Sequence, residues 1–317
     1  MKPTPGKQKL VIAFVILLGI SLLAYPYISK FLFARGASDA ISDYDSIIEQ
    51  ANPEELERAW QAAISYNESL EGNPVKDPFL IDSGMVMAEN YLQVLNLSGT
   101  GVMGYINVPK IGVLLSIHHG TADYVLEKGI GHLEGSSLPI GGAGCHSVLT
   151  GHSGLAHAKM FTDLEKLQKG DIFYLHLLDQ VLAYEVDQIK IVLPEEITDL
   201  ARIPNEDHCT LITCHPYLLN THRLLVRGVR TEYNPEQASQ YIADNRPSLQ
   251  WFTGWNVFWG VAVGLALALI IIFVFSHTHR KKARERKRYW WDEIHITNPS
   301  GNAPPASGDG LPPWWQS

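Results

Sequence analysis

Residues 210–214 read Thr-Leu-Ile-Thr-Cys, and Arg223 follows nine residues after the cysteine. β-branched side chains recur through this run, which predicts a strand that ends in the thiol of Cys214. A Pro-Tyr pair at 216–217 is typical of a turn, and Leu-Leu-Val at 224–226 predicts a second strand. We therefore expect a hairpin-like return that brings the guanidinium of Arg223 next to the thiol.

A thiol beside a fixed cation has the chemistry of a nucleophile. The cation favours the thiolate and can hold a developing oxyanion. The best candidate for the base is His152, in the run Leu-Thr-Gly-His-Ser-Gly at 149–154. Each residue also has a structural interpretation, because a strand-end cysteine is often a small buried hydrophobe and a histidine between glycines is often a turn residue. Only their combination favours a cysteine enzyme.

Two uncharged apolar runs stand apart from the rest of the 317 residues. The run 10–28 follows three lysines, and the run 251–275 precedes a cluster of seven Lys and Arg residues at 280–288. A membrane-spanning helix needs about 20 apolar residues, and basic residues favour the cytoplasmic side. We expect a two-pass cell-membrane protein with both termini in the cytoplasm and the middle of the chain outside. The first run also allows a cleaved signal peptide.

The segment between the two runs is acidic. It carries 15 Lys and Arg residues against 29 Asp and Glu residues, a net charge of −14, which argues against a nucleic-acid partner. Three cysteines are too few for a disulfide scaffold. Cys145 and Cys209 could pair and leave Cys214 free, and the sequence leaves that open. We expect no cofactor and no metal.

The predicted secondary structure changes twice along the middle of the chain, from helix to loop and from loop to strands. Residues 37–70 have helical periodicity, and Asn52-Pro53 followed by two glutamates predicts a helix start. Gly, Pro, Asn and Asp then mark a long loop, in which Asp77-Pro78-Phe79 could place a carboxylate on a cation and a ring over the thiol. From 102 to 233 short apolar runs predict eight strands that form a closed or nearly closed barrel, with a short helix at 158–167. The predicted strands are 104–108, 113–117, 147–150, 172–177, 182–186, 189–193, 210–214 and 224–229.

These observations predict eight consecutive segments. They are a cytoplasmic N-terminus (1–9), a transmembrane anchor or uncleaved signal (10–28), a helical spacer (29–75), a lid loop (76–101), a catalytic β-barrel (102–233), a connector (234–250), a transmembrane helix (251–275) and a basic, then disordered, cytoplasmic tail (276–317).

Four blocks of this sequence resemble a known enzyme family. They are Gly-Tyr-Ile-Asn-Val-Pro-Lys-Ile at 104–111, Gly-Ile-Gly-His-Leu-Glu-Gly-Ser-Ser-Leu-Pro at 129–139, Leu-Thr-Gly-His at 149–152, and the stretch 210–228. Together they are similar to a class C, pilin-polymerising sortase, a membrane-anchored cysteine transpeptidase of Gram-positive bacteria. The similarity is close from about residue 91 to residue 231.

The resemblance implies the mainly β, eight-stranded sortase barrel, with short helices, an N-terminal helical region and two transmembrane helices. It implies that His152, Cys214 and Arg223 are the catalytic residues. It also implies that Asp77, Pro78 and Phe79 form a lid, in which the aspartate pairs with the catalytic arginine and the aromatic ring covers the nucleophile. Cys145 and His215 depart locally from the family pattern.

The implied reaction is cleavage of an LPxTG-like sorting signal between Thr and Gly through a thioacyl-enzyme. A lysine of a second pilin would then release the acyl group as an isopeptide. The implied partners are pilin or surface proteins with such a C-terminal signal, a lysine acceptor and the membrane. Two alternatives are a housekeeping-type sortase that attaches proteins to peptidoglycan and a non-catalytic membrane binding module.

Overall fold

The computed structural model describes residues 5–70, 77, 79, 90–155 and 158–245. Its strands are β1 (Val102–Val108), β2 (Val113–His119), β3 (Ile130–His132), β4 (Cys145–Thr150), β5 (Ile172–Leu177), β6 (Gln180–Val192), β7 (Asp207–His215) and β8 (His222–Thr231). These eight strands close into a barrel in the order β1-β2-β3-β4-β7-β8-β6-β5. The helices are α1 (Pro5–Gln50), α2 (Pro53–Ser69), α3 (Asp123–Leu126) and α4 (Pro235–Asn245). The predicted eight-stranded barrel is confirmed.

The strand count is right, although two of the predicted strands are wrong. The predicted strands 182–186 and 189–193 are one long strand, β6, whose register against β8 shifts between Val186 and Gln188. A bulge of this kind looks like a strand end in a sequence, because the alternation of side chains breaks there. The short strand β3 was not predicted, since it has three residues, one of them glycine, and it pairs in parallel with β2.

The helical predictions are confirmed in α2 and in the connector after the barrel, and wrong for residues 158–167. The side chain of Asn52 caps α2 by accepting a hydrogen bond of 2.8 Å from the backbone N–H of Glu55. The predicted helix at 158–167 is wrong, since within its described residues only Leu164–Lys166 forms a 3₁₀ turn. The connector after the barrel contains α4, in agreement with its predicted helical character.

The two predicted membrane helices stay predictions. The first apolar run lies within α1, and no helix in the described part of the chain is long and apolar enough to cross a membrane. The second apolar run, at 251–275, and the tail after it lie outside the described residues. Residues 71–75 of the predicted spacer and residues 76, 78 and 80–89 of the predicted lid loop also lie outside them.

Tyr44 joins α1 to the barrel. Its hydroxyl donates to the carbonyl of Met103 at 3.0 Å and accepts from the N–H of Leu178 at 2.7 Å. The ring is buried and lies edge-on to Tyr105, with ring centroids 6.2 Å apart. The hydroxyl thus satisfies buried backbone groups at the two strand ends that α1 covers.

We expect Tyr44→Phe to destabilise the barrel, because it leaves the buried N–H of Leu178 without its acceptor. An unsatisfied buried group costs about 1–3 kcal/mol, and for a domain of this size each kcal/mol lowers Tm by roughly 2–4 °C. Thermal unfolding followed by circular dichroism measures the shift. Tyr124→Phe, at an exposed position, is the matched control, and an equal Tm for both variants would contradict the role given to Tyr44.

Candidate active site

Cys214 and Arg223 are directly opposite each other at the end of the β7–β8 hairpin. The return between the strands is held by the carbonyl of Pro216, which accepts from the N–H groups of Leu219 at 3.1 Å and Asn220 at 3.0 Å. Adjacent strands lie about 5 Å apart, so opposite residues are immediate neighbours. The predicted hairpin return is therefore confirmed.

The alternation of β7 places the thiol on the outer face of the barrel. Cys209 and Leu211 belong to the interior core, whereas Ile212 belongs to a second apolar cluster. This cluster, called here the outer cluster, contains Leu133, Val148, Val192, Leu200, Ile212 and Leu225. Because side chains alternate along a strand, Cys214 lies on the same face as Ile212, at the exposed end of the outer cluster.

His152 reaches the site from the neighbouring strand β4. β4 runs parallel to β7 with Thr150 opposite Ile212, so the residue two positions further on reaches the level of Cys214. The backbone is fixed there because the N–H of Gly151 donates to Ile212 at 3.0 Å, and the Thr213 hydroxyl donates to the Gly151 carbonyl at 2.7 Å. A Cβ atom at Gly151 would lie 2.7 Å from atoms of Ile130 and Phe161, so the close approach requires glycine.

Asp77 holds Arg223 in a bidentate ion pair. The Arg223 Nε donates to Asp77 Oδ1 at 2.9 Å and Nη2 donates to Oδ2 at 2.7 Å, and both side chains are almost fully buried. The remaining nitrogen, Nη1, donates to the carbonyls of Asn220 at 3.2 Å and His222 at 3.1 Å. Every nitrogen of the guanidinium therefore has a partner within the protein.

Phe79 bridges the arginine and the histidine. Its ring lies 5.0 Å from the guanidinium carbon of Arg223, and its centroid lies 6.0 Å from that of the His152 ring. It also packs against the outer cluster. The structure therefore brings Asp77, Phe79, His152 and Arg223 together around the strand end that carries Cys214.

A narrow cleft begins beside this group and follows the outer face of the barrel. Arg223 and Asp77 line one end, and the segment after β6, residues 192–200, supplies most of the rest. Ile212 and Leu225 contribute apolar surface, and Glu196 contributes a carboxylate. The sequence prediction did not include residues 192–200 as part of a cleft. The Leu-Pro-Glu-Glu run at 193–196 indicates only a loop.

The surroundings of Cys214 raise the pKa of its thiol above the ordinary value. Burial is the main cause, the cation of Arg223 opposes it, and the carboxylate of Asp77 raises the pKa further. The thiol is therefore protonated at neutral pH in this arrangement. Because a thiolate reacts as a nucleophile far better than a thiol, this arrangement does not favour reaction at Cys214.

The other two cysteines do not form the disulfide that the sequence left open. All three cysteines, each of which the structure describes, are free thiols. Cys145 is opposite Asp207 and Cys209 is opposite Ser147, so the two are offset along neighbouring strands. Within the described residues, no group of His, Cys, Asp and Glu side chains could hold a metal ion.

Comparison with known proteins identifies the family. A family model described as Sortase domain matches residues 106–231. The crystal structure of sortase C-1 from Streptococcus pneumoniae is 42% identical, with 62% of this chain and 100% of that chain covered at a TM-score of 0.58. The pilus-related sortase C of Group B Streptococcus is 43% identical, with 61% of this chain and 97% of that chain covered at a TM-score of 0.56.

A curated relative, sortase D of Bacillus subtilis, is 32% identical over 114 residues. That match covers 36% of this chain and about half of the relative's own length, 54%. The eight-stranded barrel is thus a sortase barrel. This chain belongs to the sortase family and is a class C sortase.

We expect Asp77→Ala and Phe79→Ala to speed the reaction of Cys214 with a thiol reagent. The ion pair between Asp77 and Arg223 contributes about 2 kcal/mol to the closed arrangement, so its loss shifts the equilibrium toward the open arrangement roughly 30-fold. The labelling rate of Asp77→Ala should therefore rise by up to that factor. Mass spectrometry of the labelled protein measures the rate at each cysteine. Asp187→Ala, which removes the partner of Arg227, is the matched control. If the reagent labelled Cys214 at the wild-type rate in both Asp77→Ala and Phe79→Ala, Asp77 and Phe79 would not cover the thiol.

Proposed function

We propose that this protein is a membrane-anchored transpeptidase that cleaves an LPxTG-like sorting signal between Thr and Gly and joins pilin subunits through a lysine isopeptide bond. The observation that carries the proposal is the pairing of Cys214 with Arg223 at the strand end, with His152 on the parallel neighbour. In this proposal Cys214 is the nucleophile, Arg223 the oxyanion stabiliser and His152 the acid and base.

The first step forms a thioester. The Cys214 sulfur, as thiolate, attacks the carbonyl carbon of the substrate threonine, and the guanidinium of Arg223 stabilises the negative oxygen that develops. The C–N bond to glycine then breaks, and His152 as imidazolium donates a proton to the leaving amine. A C–S bond replaces the C–N bond, and the C-terminal part of the sorting signal leaves.

The second step transfers the acyl group to an amine. The ε-amine of a lysine on a neighbouring pilin attacks the thioester carbonyl, and neutral His152 accepts the proton that the amine loses. The C–S bond breaks, the thiolate of Cys214 returns, and the new C–N bond is an isopeptide. His152 ends the cycle in the imidazolium form that the first step requires.

The resting arrangement has to open before this chemistry begins. Both Arg223 nitrogens that face the lid are bound by Asp77, so they are not available to an oxyanion. The same carboxylate raises the pKa of the Cys214 thiol, and Phe79 lies between Arg223 and His152. We propose that Asp77 and Phe79, with Pro78 between them in the chain, act as a lid that the substrate displaces.

One observation supports a pilin substrate, and a second supports a sorting signal of any sortase substrate. The class C relatives include a sortase described as pilus-related. The cleft beside Arg223 is lined by Leu, Ile, Val and Pro side chains, which suit the apolar Leu-Pro start of a sorting signal. The family assignment disfavours the alternative of a non-catalytic binding module. The alternative of a housekeeping sortase differs in the acceptor, which is a cell-wall amine instead of a pilin lysine.

The proposed location is the outer face of the cell membrane. The two apolar runs with their basic flanks support a two-pass chain with both termini in the cytoplasm and the barrel outside. Protease added to intact cells should then remove the barrel, and complete protection of the barrel would contradict this topology.

We expect the full chain, incubated with a pilin that carries an LPxTG-like tail, to form covalent pilin polymers that survive denaturation. Cys214→Ala should reduce polymer formation by roughly 10⁴-fold or more, because the nucleophile is lost. Cys145→Ala is the matched control, since this thiol lies at the far end of β4 from His152, and should polymerise at the wild-type rate. Gel electrophoresis, with mass spectrometry of the isopeptide and of a trapped thioester, gives the readout.

Polymerisation by Cys214→Ala would refute the nucleophile assignment. A cell-wall amine acceptor added in competition separates the two sortase functions. If the acceptor is joined to the pilin and no pilin–pilin bond forms, the housekeeping function is the correct one.

A further inference from the structure

Arg202 joins three segments of the chain through hydrogen bonds to backbone carbonyls. It follows the 3₁₀ turn Thr198–Leu200 in the connection between β6 and β7. Its Nε donates to the carbonyl of Gly144 at 2.7 Å, and its Nη1 donates to the carbonyls of Leu70 at 2.9 Å and Asn67 at 3.3 Å. One side chain thus ties the β6–β7 connection to the loop before β4 and to the end of α2.

The end of α2 presents carbonyl groups that the helix itself does not use. The last four carbonyls of an α-helix have no partner within it, and they form the negative end of the helix dipole. α2 has no basic residue in its last turn, so Arg202 supplies the positive charge from another segment. Asn67 fixes the same helix end to the loop before β4, because its amide accepts from the N–H of Leu138 at 2.7 Å and donates to the Leu138 carbonyl at 3.2 Å.

The β6–β7 connection also forms one side of the cleft that begins beside Arg223. Residues 192–200, called here the cleft wall, supply most of its lining. The backbone hydrogen bonds within the wall close local turns, from the N–H of Glu196 to the Leu193 carbonyl and from the N–H of Leu200 to the Ile197 carbonyl, each at 3.0 Å. Such bonds shape the wall, but they do not attach it to the rest of the protein.

Side chains attach the cleft wall to its surroundings. Lys190 of β6 forms an ion pair with Asp199, and Nδ1 of His146 donates to the carbonyl of Ala201 at 2.9 Å. Arg202 extends this attachment to α2. Because Arg202 is an exposed side chain, its substitution removes the hydrogen bonds without leaving a cavity in the core.

We propose that Arg202 is a positioning residue that holds the cleft wall against the end of α2, where the wall can bind the apolar start of a sorting peptide. Leu200 lies two residues before Arg202, belongs to the outer cluster and lines the cleft, so movement at Arg202 displaces a cleft residue. α2 then supports the substrate cleft, in addition to leading the chain from α1 to the barrel. The proposal rests on the proposed sortase reaction, in which Arg202 acts through the wall without contact to the reacting groups.

The kinetic test compares Arg202→Ala and Arg202→Lys in the full chain. Both are made in Asp77→Ala, so that a change in the closing of Asp77 and Phe79 does not mask a change in the wall. The probe is a fluorogenic peptide with the sequence Leu-Pro-Glu-Thr-Gly. Arg202→Ala should raise KM about 3- to 10-fold, the value of one hydrogen bond, and leave kcat unchanged, because the wall binds the peptide away from the reacting bond. Arg202→Lys should recover part of the loss, since it keeps a positive charge at the helix end.

Two controls in the same Asp77→Ala chain separate positioning from general stability. Arg58→Ala removes an arginine whose Nε donates to the carbonyl of Glu54 within α2, so KM should not change. Tyr44→Phe destabilises the barrel at its contact with α1 and should also keep KM. An unchanged KM in Arg202→Ala, an equal rise in either control, or no recovery in Arg202→Lys would overturn the proposal.

Amide hydrogen exchange tests the attachment without any catalytic activity. In Arg202→Ala, the amides of the cleft wall and of residues 66–70 should exchange faster, while those of β7 and β8 keep their rates. If the cleft wall and residues 66–70 exchange as in the wild type, Arg202 does not hold them together and the proposal fails. A wild-type chain that cleaves no peptide, combined with the expected change in exchange, would instead contradict the proposed function and leave the attachment in place.

Discussion

One guanidinium group determines the state of this site. Arg223 lies opposite the thiol of Cys214, where its charge lowers the pKa of the thiol and could stabilise an oxyanion. In the resting structure Asp77 binds two of its nitrogens, and backbone carbonyls bind the third. The same carboxylate that occupies the arginine also raises the pKa of the thiol. Burial is the main cause of the raised thiol pKa, and the Asp77 carboxylate adds to it while it occupies the two Arg223 nitrogens.

The strand pairing of the barrel brings the residues of this site together. Parallel pairing of β4 with β7 and antiparallel pairing of β7 with β8 bring His152, Cys214 and Arg223 to the same strand ends. The interior face of these strands packs the core, so the outer face is free to form the cleft. A shift of register by one residue in β7 would turn Cys214 into the core and separate it from Arg223.

The sequence allowed prediction of those parts of the site that depend on local pairing. Cys214 and Arg223 are nine residues apart, and one hairpin joins them, so alternation and a turn signal were sufficient. The residues alone suggested His152 as a base and Asp77 as the partner of a cation, and the resemblance to a family assigned both to the site. The contacts between Asp77 and Arg223 span 146 residues, which no local pattern can predict.

Other features needed the three-dimensional structure. The strand β3 is too short for a periodicity, and the register shift in β6 looks like a strand end.

The most direct test of the role of Asp77 is the pH dependence of Cys214 alkylation in the wild type and in Asp77→Asn. The carboxylate raises the pKa of the thiol, so its replacement by a neutral amide should lower the midpoint of the alkylation profile. Adding Arg223→Gln to Asp77→Asn should move the midpoint back up, because the cation that favours the thiolate is lost. An unchanged or higher midpoint in Asp77→Asn would contradict the effect of the Asp77 carboxylate on the Cys214 thiol.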